Sequence, residues 1–177
     1  MNSLQYPIGK FTYDTHVTPE KRQACIRDFE SLPRRLRDAV AGLTDQQLDT
    51  PYRDGGWTVR QLVHHLADSH MNGFIRSKLA LVEESPVIKP YEQDDWVKTG
   101  DVSGLDVEPS LRLLDGLQVR WARFFEALAP AEFQRTFNHP ELGLQTLDMQ
   151  LQHYGWHGRH HVSHILSLRE RNGWKAQ

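Results

Sequence analysis

The sequence predicts an all-α protein, a four-helix bundle with one long crossover loop. Apolar residues recur at helical spacing in four separate stretches, and prolines and glycines concentrate in the connections between those stretches. The 177 residues can bury a sizeable core, and neither an internal repeat nor a shift in composition divides them. We therefore expect a single domain, residues 1–177, in which four long helices pack as a bundle.

The first helix is predicted to begin after Thr18, because a threonine followed by Pro19 and Glu20 is a typical helix start. Its apolar stripe consists of Cys25, Ile26, Phe29, Leu32, Leu36, Val40 and Leu43. The stripe continues through Pro33, so we expect a kink at this proline and not the end of the helix.

The second helix is predicted to begin at Trp57 and Thr58 and to reach about Glu84. Prolines and glycines then mark a long loop, in which the run YEQDDWV is predicted to form one short helix. Loops of this length in a compact domain are often functional. We expect this loop to be the long crossover of the bundle.

The third helix is predicted from Pro109 to about Leu128, with Pro130 ending it. A small turn or short hairpin around Pro140 and Gly143 should follow. Thr146 is a suitable cap for a fourth helix that runs to about Arg171, and Gly173 is a suitable stop.

Composition argues against several classes of partner. Lys and Arg number 21 and Asp and Glu 23, and the net charge of −2 predicts binding neither to nucleic acid nor to a membrane surface. Cys25 is the one cysteine, so no intrachain disulfide is expected, and the first ten residues lack the apolar core of a signal peptide. No apolar run approaches the roughly 20 residues of a membrane span. These observations favour a cytoplasmic location.

Histidines are the chemical signal of this chain. Six of the ten lie in two groups: His64 and His65 begin the run HHLADSH, and the run WHGRHHVSHI contains His157, His160, His161 and His164. Histidine is the commonest metal ligand and titrates near neutral pH, so such groups predict a metal site or a proton-handling site. On the fourth helix, at about 100° per residue, His157 and His161 are the adjacent pair closest to the apolar face.

The second helix gives a less direct prediction. His65 points away from the main apolar stripe, onto a face of short or hydrogen-bonding side chains without lysine or glutamate. This face is as consistent with a polar cleft as with solvent exposure, and burial alone favours His70. A histidine-rich polar stripe without a metal is the alternative interpretation of both groups.

A catalytic zinc site has three protein ligands and an open fourth position for water or substrate. The ion lowers the pKa of bound water toward about 7, polarises a substrate oxygen or activates a thiolate. Asp68, three residues after His65, is a candidate to orient a ligand or to act as a base.

The other chemistry-bearing residues receive simpler interpretations. His160 and His164 are expected to be neighbours of the site or surface groups and not ligands. Arg76 and Arg159 could bind an anionic substrate, although solvated arginines are more common. Incidental or packing roles are expected for His16, His70, His139, Trp57, Trp121 and Trp156.

Three segments carry a resemblance to a known family. The segments GGWTVRQLVHHLADSHMNGFIR, PVIKPYEQDDW and YGWHGRHHVSHI resemble the YfiT-like branch of the DinB superfamily, and the similarity covers nearly the whole chain. The resemblance implies a DinB/YfiT-like four-helix bundle with a three-histidine metal site. By this resemblance, the three metal ligands are His65, His157 and His161. The first is the histidine directly before Leu66, so it is His65 and not His64.

The resemblance also implies a function. Members of the branch are metal-dependent hydrolases that bind zinc or nickel as cytoplasmic homodimers, and some relatives transfer low-molecular-weight thiols such as bacillithiol. We therefore expect one Zn²⁺ or Ni²⁺ per subunit, a small-molecule substrate and activation of water or a thiol. The alternatives are a thiol S-transferase that conjugates a thiol to electrophiles and a metal-binding stress-response module without turnover.

Overall fold

Four long helices dominate the computed structural model, which describes residues 4–175. They are α1 (Pro19–Val40), α3 (Val59–Val82), α5 (Glu108–Glu126) and α6 (Leu147–Asn172). Two short helices, α2 (Asp45–Leu48) and α4 (Gln93–Trp96), lie in the connections. A 3₁₀ turn (Pro130–Gln134) and two strands, β1 (Thr136–His139) and β2 (Gly143–Thr146), join α5 to α6. The predicted all-α four-helix bundle is confirmed.

Helix caps explain most of these boundaries. Thr18 accepts a hydrogen bond from the backbone N–H of Lys21 at the start of α1, and Thr146 does the same for Met149 at the start of α6. Gly173 ends α6 with a φ of 64°, a left-handed conformation that glycine adopts without strain. Helix α1 continues through Pro33, as its apolar stripe predicts.

The bundle is arranged so that α1 and α3 each pack against both α5 and α6. One apolar cluster joins the carboxyl-terminal half of α1 to the first part of α3 and the last part of α6. A second cluster, rich in aromatic rings, surrounds Trp121 of α5. Along α6, His157 and His161 lie between Tyr154 of the second cluster and Val162 of the first.

The long connection between α3 and α5 covers the outer face of α3. Arg60 and Gln61 donate hydrogen bonds to the carbonyl oxygens of Leu105 and Val97, at 2.6 and 3.0 Å. The predicted short helix within this connection is confirmed as α4. As a result, α3 is buried on almost all sides and not along one stripe.

The predicted hairpin is also present. Strands β1 and β2 pair antiparallel from Thr136 opposite Thr146 to His139 opposite Gly143. The backbone of Asn138 bonds to both Pro86 and Ile88 of the long connection, and these bonds join that connection to the hairpin. No helix within residues 4–175 is long and apolar enough to cross a membrane.

Candidate metal centre

Three histidines from two helices converge on one point. His65 of α3 and His157 and His161 of α6 each direct a ring nitrogen into a group whose members all lie within 4.8 Å of one another. The Nε2 of His157 lies 3.3 Å from the Nε2 of His65 and 3.1 Å from the Nε2 of His161. The structure thus brings together the three residues that the resemblance selects.

These separations fit the donor set of a tetrahedral ion. Two imidazole nitrogens at about 2.0–2.1 Å from one Zn²⁺ lie about 3.3–3.4 Å apart, close to the two measured distances. Three neutral imidazoles suit zinc, nickel and other divalent transition metals. A three-ligand set leaves coordination positions for water or substrate, as catalytic sites require.

His65 is more deeply buried than its place on the helical wheel indicates. Its side chain is 2% exposed, whereas the sequence pattern favours a cleft or solvent. Trp57 packs over His65 with ring centroids 4.6 Å apart, and His157 and His161 cover it from α6. The wheel describes one helix alone, so it misses the parts of the chain that cover this face.

The electrostatics of the site keep the imidazoles neutral. Burial lowers the pKa of His65 to about 4. The pKa values of His157 and His161 are held well below the ordinary value, first by burial and then by the neighbouring imidazoles. Neutral imidazole is the form that binds metal, so these side chains are ready to act as ligands at neutral pH.

His70 is not incidental, in contrast to the sequence-based interpretation. It is completely buried, and its Nε2 lies 3.3 Å from Nδ1 of His157. Its Nδ1 lies 2.6 Å from the side-chain amide of Gln118 on α5. The apolar pattern of α3 thus predicts the burial of His70 correctly, and the structure adds that His70 contacts a candidate ligand.

His164 and His160 are buried as well, because the amino-terminal segment lies over α6. His164 contacts the carbonyl oxygen of Gln5 and the ring of His161, and Tyr6 stacks near His160 at 6.0 Å. His64 faces away from the three histidines, toward Ser110 of α5, with Nδ1 2.7 Å from the hydroxyl oxygen. The choice of His65 over His64 is therefore consistent with the geometry.

A cavity of about 470 Å³ opens onto the three histidines. It is lined by Gln5, Tyr6, Tyr52, Arg53, Gly55, Gly56, Trp57, His65, Gln93, Asp94, Trp156, His157, His160, His161 and His164. Trp57 and Trp156 are thus walls of the cleft, whereas Trp121 is a fully buried core residue. The cavity is large enough for a small molecule.

A second cavity, of about 410 Å³, lies on the other side of α4. It shares Gln93, Asp94 and His157 with the first, so the two cavities adjoin at α4 and at one of the three histidines. Arg76 and His139 line it, and Arg76 donates to the carbonyl oxygen of Lys89 at 3.2 Å. Arg159, the other candidate for an anionic substrate, is instead paired with Asp28.

Asp68 occupies a different position from the three histidines. Burial, and in second place the nearby Asp101, raise the pKa of Asp68 to about 6. Asp68 is half-buried, and among residues 4–175 it is not one of those that line either cavity. The raised pKa is characteristic of functional carboxyl groups but does not place this one at the metal centre.

The fold and the site together define a class: a helical bundle whose core holds three histidines that could bind one metal ion. Comparison with known proteins agrees with this class. Residues 28–165 match the family model of the DinB superfamily. The chain is a member of the DinB superfamily.

Two relatives in the genus Bacillus are named "Putative metal-dependent hydrolase". The one from Bacillus mycoides is 51% identical over 174 residues, and the one from Bacillus cereus ATCC 10987 is 50% identical over the same length. In both comparisons the match spans 98% of this chain and 100% of the relative.

The solved structure of YfiT from Bacillus subtilis is similar over the whole fold. Its TM-score is 0.95 at 46% identity, and the match covers 98% of this chain and 99% of that chain. That protein is described as a probable metal-dependent hydrolase with an unusual four-helix bundle topology. The predicted membership of a YfiT-like branch is confirmed.

Proposed function

We propose that this protein is a metal-dependent hydrolase in which His65, His157 and His161 hold one Zn²⁺ or Ni²⁺ per subunit. The observation that carries the proposal is the convergence of their ring nitrogens within 4.8 Å, in a largely buried setting. When bound, the ion would supply a Lewis acid and lower the pKa of a water molecule toward about 7. The names of the relatives support hydrolysis as the reaction class.

The protein contributes ligand geometry and a shaped cavity. His65 is held between Trp57 and α6, while His157 and His161 lie one turn apart on α6 and so present their rings side by side. The cavity at the site admits a small-molecule substrate, and Arg76 in the adjoining cavity offers a positive charge to an anionic part of it.

Asp68 enters the proposal as a proton-transferring group because its pKa of about 6 is near neutral. If Asp68 acts in this way, Asp68→Asn should lower turnover and shift the midpoint of the acidic limb of the pH–rate profile while metal content stays unchanged. An unaltered profile would exclude Asp68 from the reaction.

We also propose a cytoplasmic homodimer. Sedimentation at micromolar concentration is the direct test of assembly, and a monomer at that concentration would contradict the proposal.

Metal content tests the site. Elemental analysis of protein purified without chelator should give about one metal ion per chain. His157→Ala and His161→Ala should each lose most of it, whereas His139→Ala, a histidine outside the three, should retain it. Full metal retention in both ligand variants would contradict the assignment.

The reaction class requires a separate experiment. A panel of ester and amide substrates, offered with and without added metal, should show metal-dependent turnover without any thiol. Metal-dependent conjugation of a small thiol to monochlorobimane, with no hydrolysis, would instead identify a thiol S-transferase. Metal binding without turnover in either assay would favour a binding module.

A further inference from the structure

His164 connects the metal centre to the backbone of the amino-terminal segment. Its Nε2 lies 3.1 Å from the carbonyl oxygen of Gln5, and its Nδ1 lies 3.3 Å from Nδ1 of His161. A carbonyl oxygen only accepts, so Nε2 of His164 carries the proton of this ring. A neutral imidazole has one N–H, hence Nδ1 of His164 must accept its hydrogen bond from Nδ1–H of His161. The Nε2 of His161 is then unprotonated and free to bind metal.

His70 stands in the same relation to His157. Its Nε2 lies 3.3 Å from Nδ1 of His157, and its other nitrogen contacts Gln118 on α5. If His70 donates through Nδ1 to Gln118, its Nε2 accepts from Nδ1–H of His157. Nε2 of His157 is again left unprotonated. Both contacts involve Nδ1 of the ligand histidine, the nitrogen that would not bind the ion.

We propose that His164 and His70 are positioning residues that fix the tautomers of His161 and His157, so that both present an unprotonated Nε2 before metal arrives. The inference rests on the proposed metal site and adds to it the residues that orient two of its ligands. The partners of a ligand histidine set which of its nitrogens is protonated and hold the ring at a fixed angle.

The orientation of the Gln118 side-chain amide decides which nitrogen of His70 is protonated. Its Oε1 is buried without a hydrogen-bond partner among residues 4–175, while its Nε2 lies next to His70. A half-turn of the amide exchanges two ends of nearly equal shape, so that this oxygen accepts a hydrogen bond from Nδ1–H of His70. The tautomer of His157 that binds metal through Nε2 requires this amide orientation.

Three matched substitutions test the proposal. His164→Phe and His70→Phe keep a buried aromatic ring but remove the nitrogen that accepts a hydrogen bond from the ligand histidine. His64→Phe is the control, because His64 is also buried but faces Ser110 of α5 and lines neither cavity. Zinc affinity, measured by competition with a chelating dye, should fall about 10- to 100-fold in the first two variants.

In the control, zinc affinity should differ from that of the wild type by less than about threefold. This change is smaller than the loss expected when an orienting partner is removed. Equal affinity in all three variants would overturn the proposal. Circular dichroism should confirm that each variant is folded before its affinity is interpreted.

Nitrogen NMR of the imidazoles provides a readout that a packing role would not change. In metal-free wild-type protein, His157 and His161 should be protonated at Nδ1, and His164 should be protonated at Nε2. In His164→Phe, the spectrum of His161 should become that of a mixture of tautomers, while His157 stays as in the wild type. A His164 that is protonated at Nδ1 would refute the proposal.

Different results would disprove the metal site and the positioning role of His164 and His70. If wild-type protein binds no metal, the proposed function is wrong, and the metal-free NMR experiment still determines whether the tautomers are fixed. If wild-type protein binds one metal ion and His164→Phe and His70→Phe bind it equally tightly, the metal site stands and the positioning role is wrong.

Discussion

The indole Nε1 of Trp57 donates a hydrogen bond of 3.1 Å to Oδ1 of Asp94. Trp57 precedes α3 and packs on His65 and His161, while Asp94 belongs to α4 in the long connection. The bond therefore holds α4 beside the histidines, between the two cavities that meet there.

We expect this bond to slow the loss of metal from the site. Trp57→Phe and Asp94→Ala should each accelerate transfer of bound zinc to a chelator by about fivefold, which corresponds to about 1 kcal/mol for one hydrogen bond. Asp94→Asn keeps an acceptor oxygen and serves as the control. Transfer rates equal to the wild-type rate in all three variants would show that the bond has no part in retention.

The buried histidines should make the metal-free protein sensitive to acid. Burial lowers the pKa of His65, His153, His160 and His164 to about 4, from 6.5 for the unperturbed group. Between these values the unfolded chain binds protons that the folded chain does not, so stability falls as the pH falls from 6.5 toward 4. Asp68 has the opposite effect on stability, because its pKa is raised to about 6 in the folded protein. It is a single group and does not outweigh the four histidines.

We expect the melting temperature of chelator-treated protein to fall by about 10 °C or more between about pH 7 and about pH 4.5. Scanning calorimetry across this range provides the measurement. His160→Phe should make the dependence shallower, because one of the contributing groups is removed. A melting temperature independent of pH would contradict the neutral state of these side chains.

Gly73 marks the closest approach of α3 to the aromatic core. A Cβ at this position would lie 2.5 Å from atoms of Trp121 and of Tyr154, which are large and buried. Gly73→Ala should lower the free energy of unfolding by about 1–3 kcal/mol, because the core must shift to accept the methyl group. Urea unfolding measures this loss.

Gly116 on α5 is the matched control, since a Cβ there meets no atom within 4 Å. Gly116→Ala should raise the free energy of unfolding by about 0.5–1 kcal/mol, because alanine favours the helix over the unfolded chain. Destabilisation of the same size at both positions would rule out the close approach as the cause.

Arg22 and Asp148 form a partly buried ion pair between α1 and α6, in which the carboxylate is the buried partner. Both nitrogens of the Arg22 fork donate to the carboxylate, at 2.9 and 3.0 Å, and the Asp148 side chain is 2% exposed. Arg22→Met should cost about 3–5 kcal/mol of unfolding free energy, because it leaves a buried carboxylate without its partner. Arg22→Met combined with Asp148→Asn should recover a large part of this loss.

The exposed pair of Lys21 and Asp14 is the comparison for this measurement. Lys21→Met should change the melting temperature very little, since water screens charges at the surface. An equal effect of Lys21→Met and Arg22→Met would show that burial is not the source of the stabilisation.

The sequence by itself determined the four long helices, the caps of α1, α3 and α6, and two of the three candidate ligand histidines. Helical periodicity and capping depend on residues close together in the chain, so the start at Thr146 and the end at Gly173 can be predicted from local pattern. The same holds for His157 and His161, because residues four apart share one face of a helix.

Only the tertiary structure decided which polar groups of α3 and α6 are buried and what each one contacts. The wheel placed His65 on a polar face and His160 and His164 further out, yet all three are buried. The long connection covers α3, and the amino-terminal segment near Gln5 covers α6. Both contacts join residues that are far apart in the sequence, and Gln5 and His164 become neighbours only in the folded chain. A pattern within one helix therefore cannot predict them.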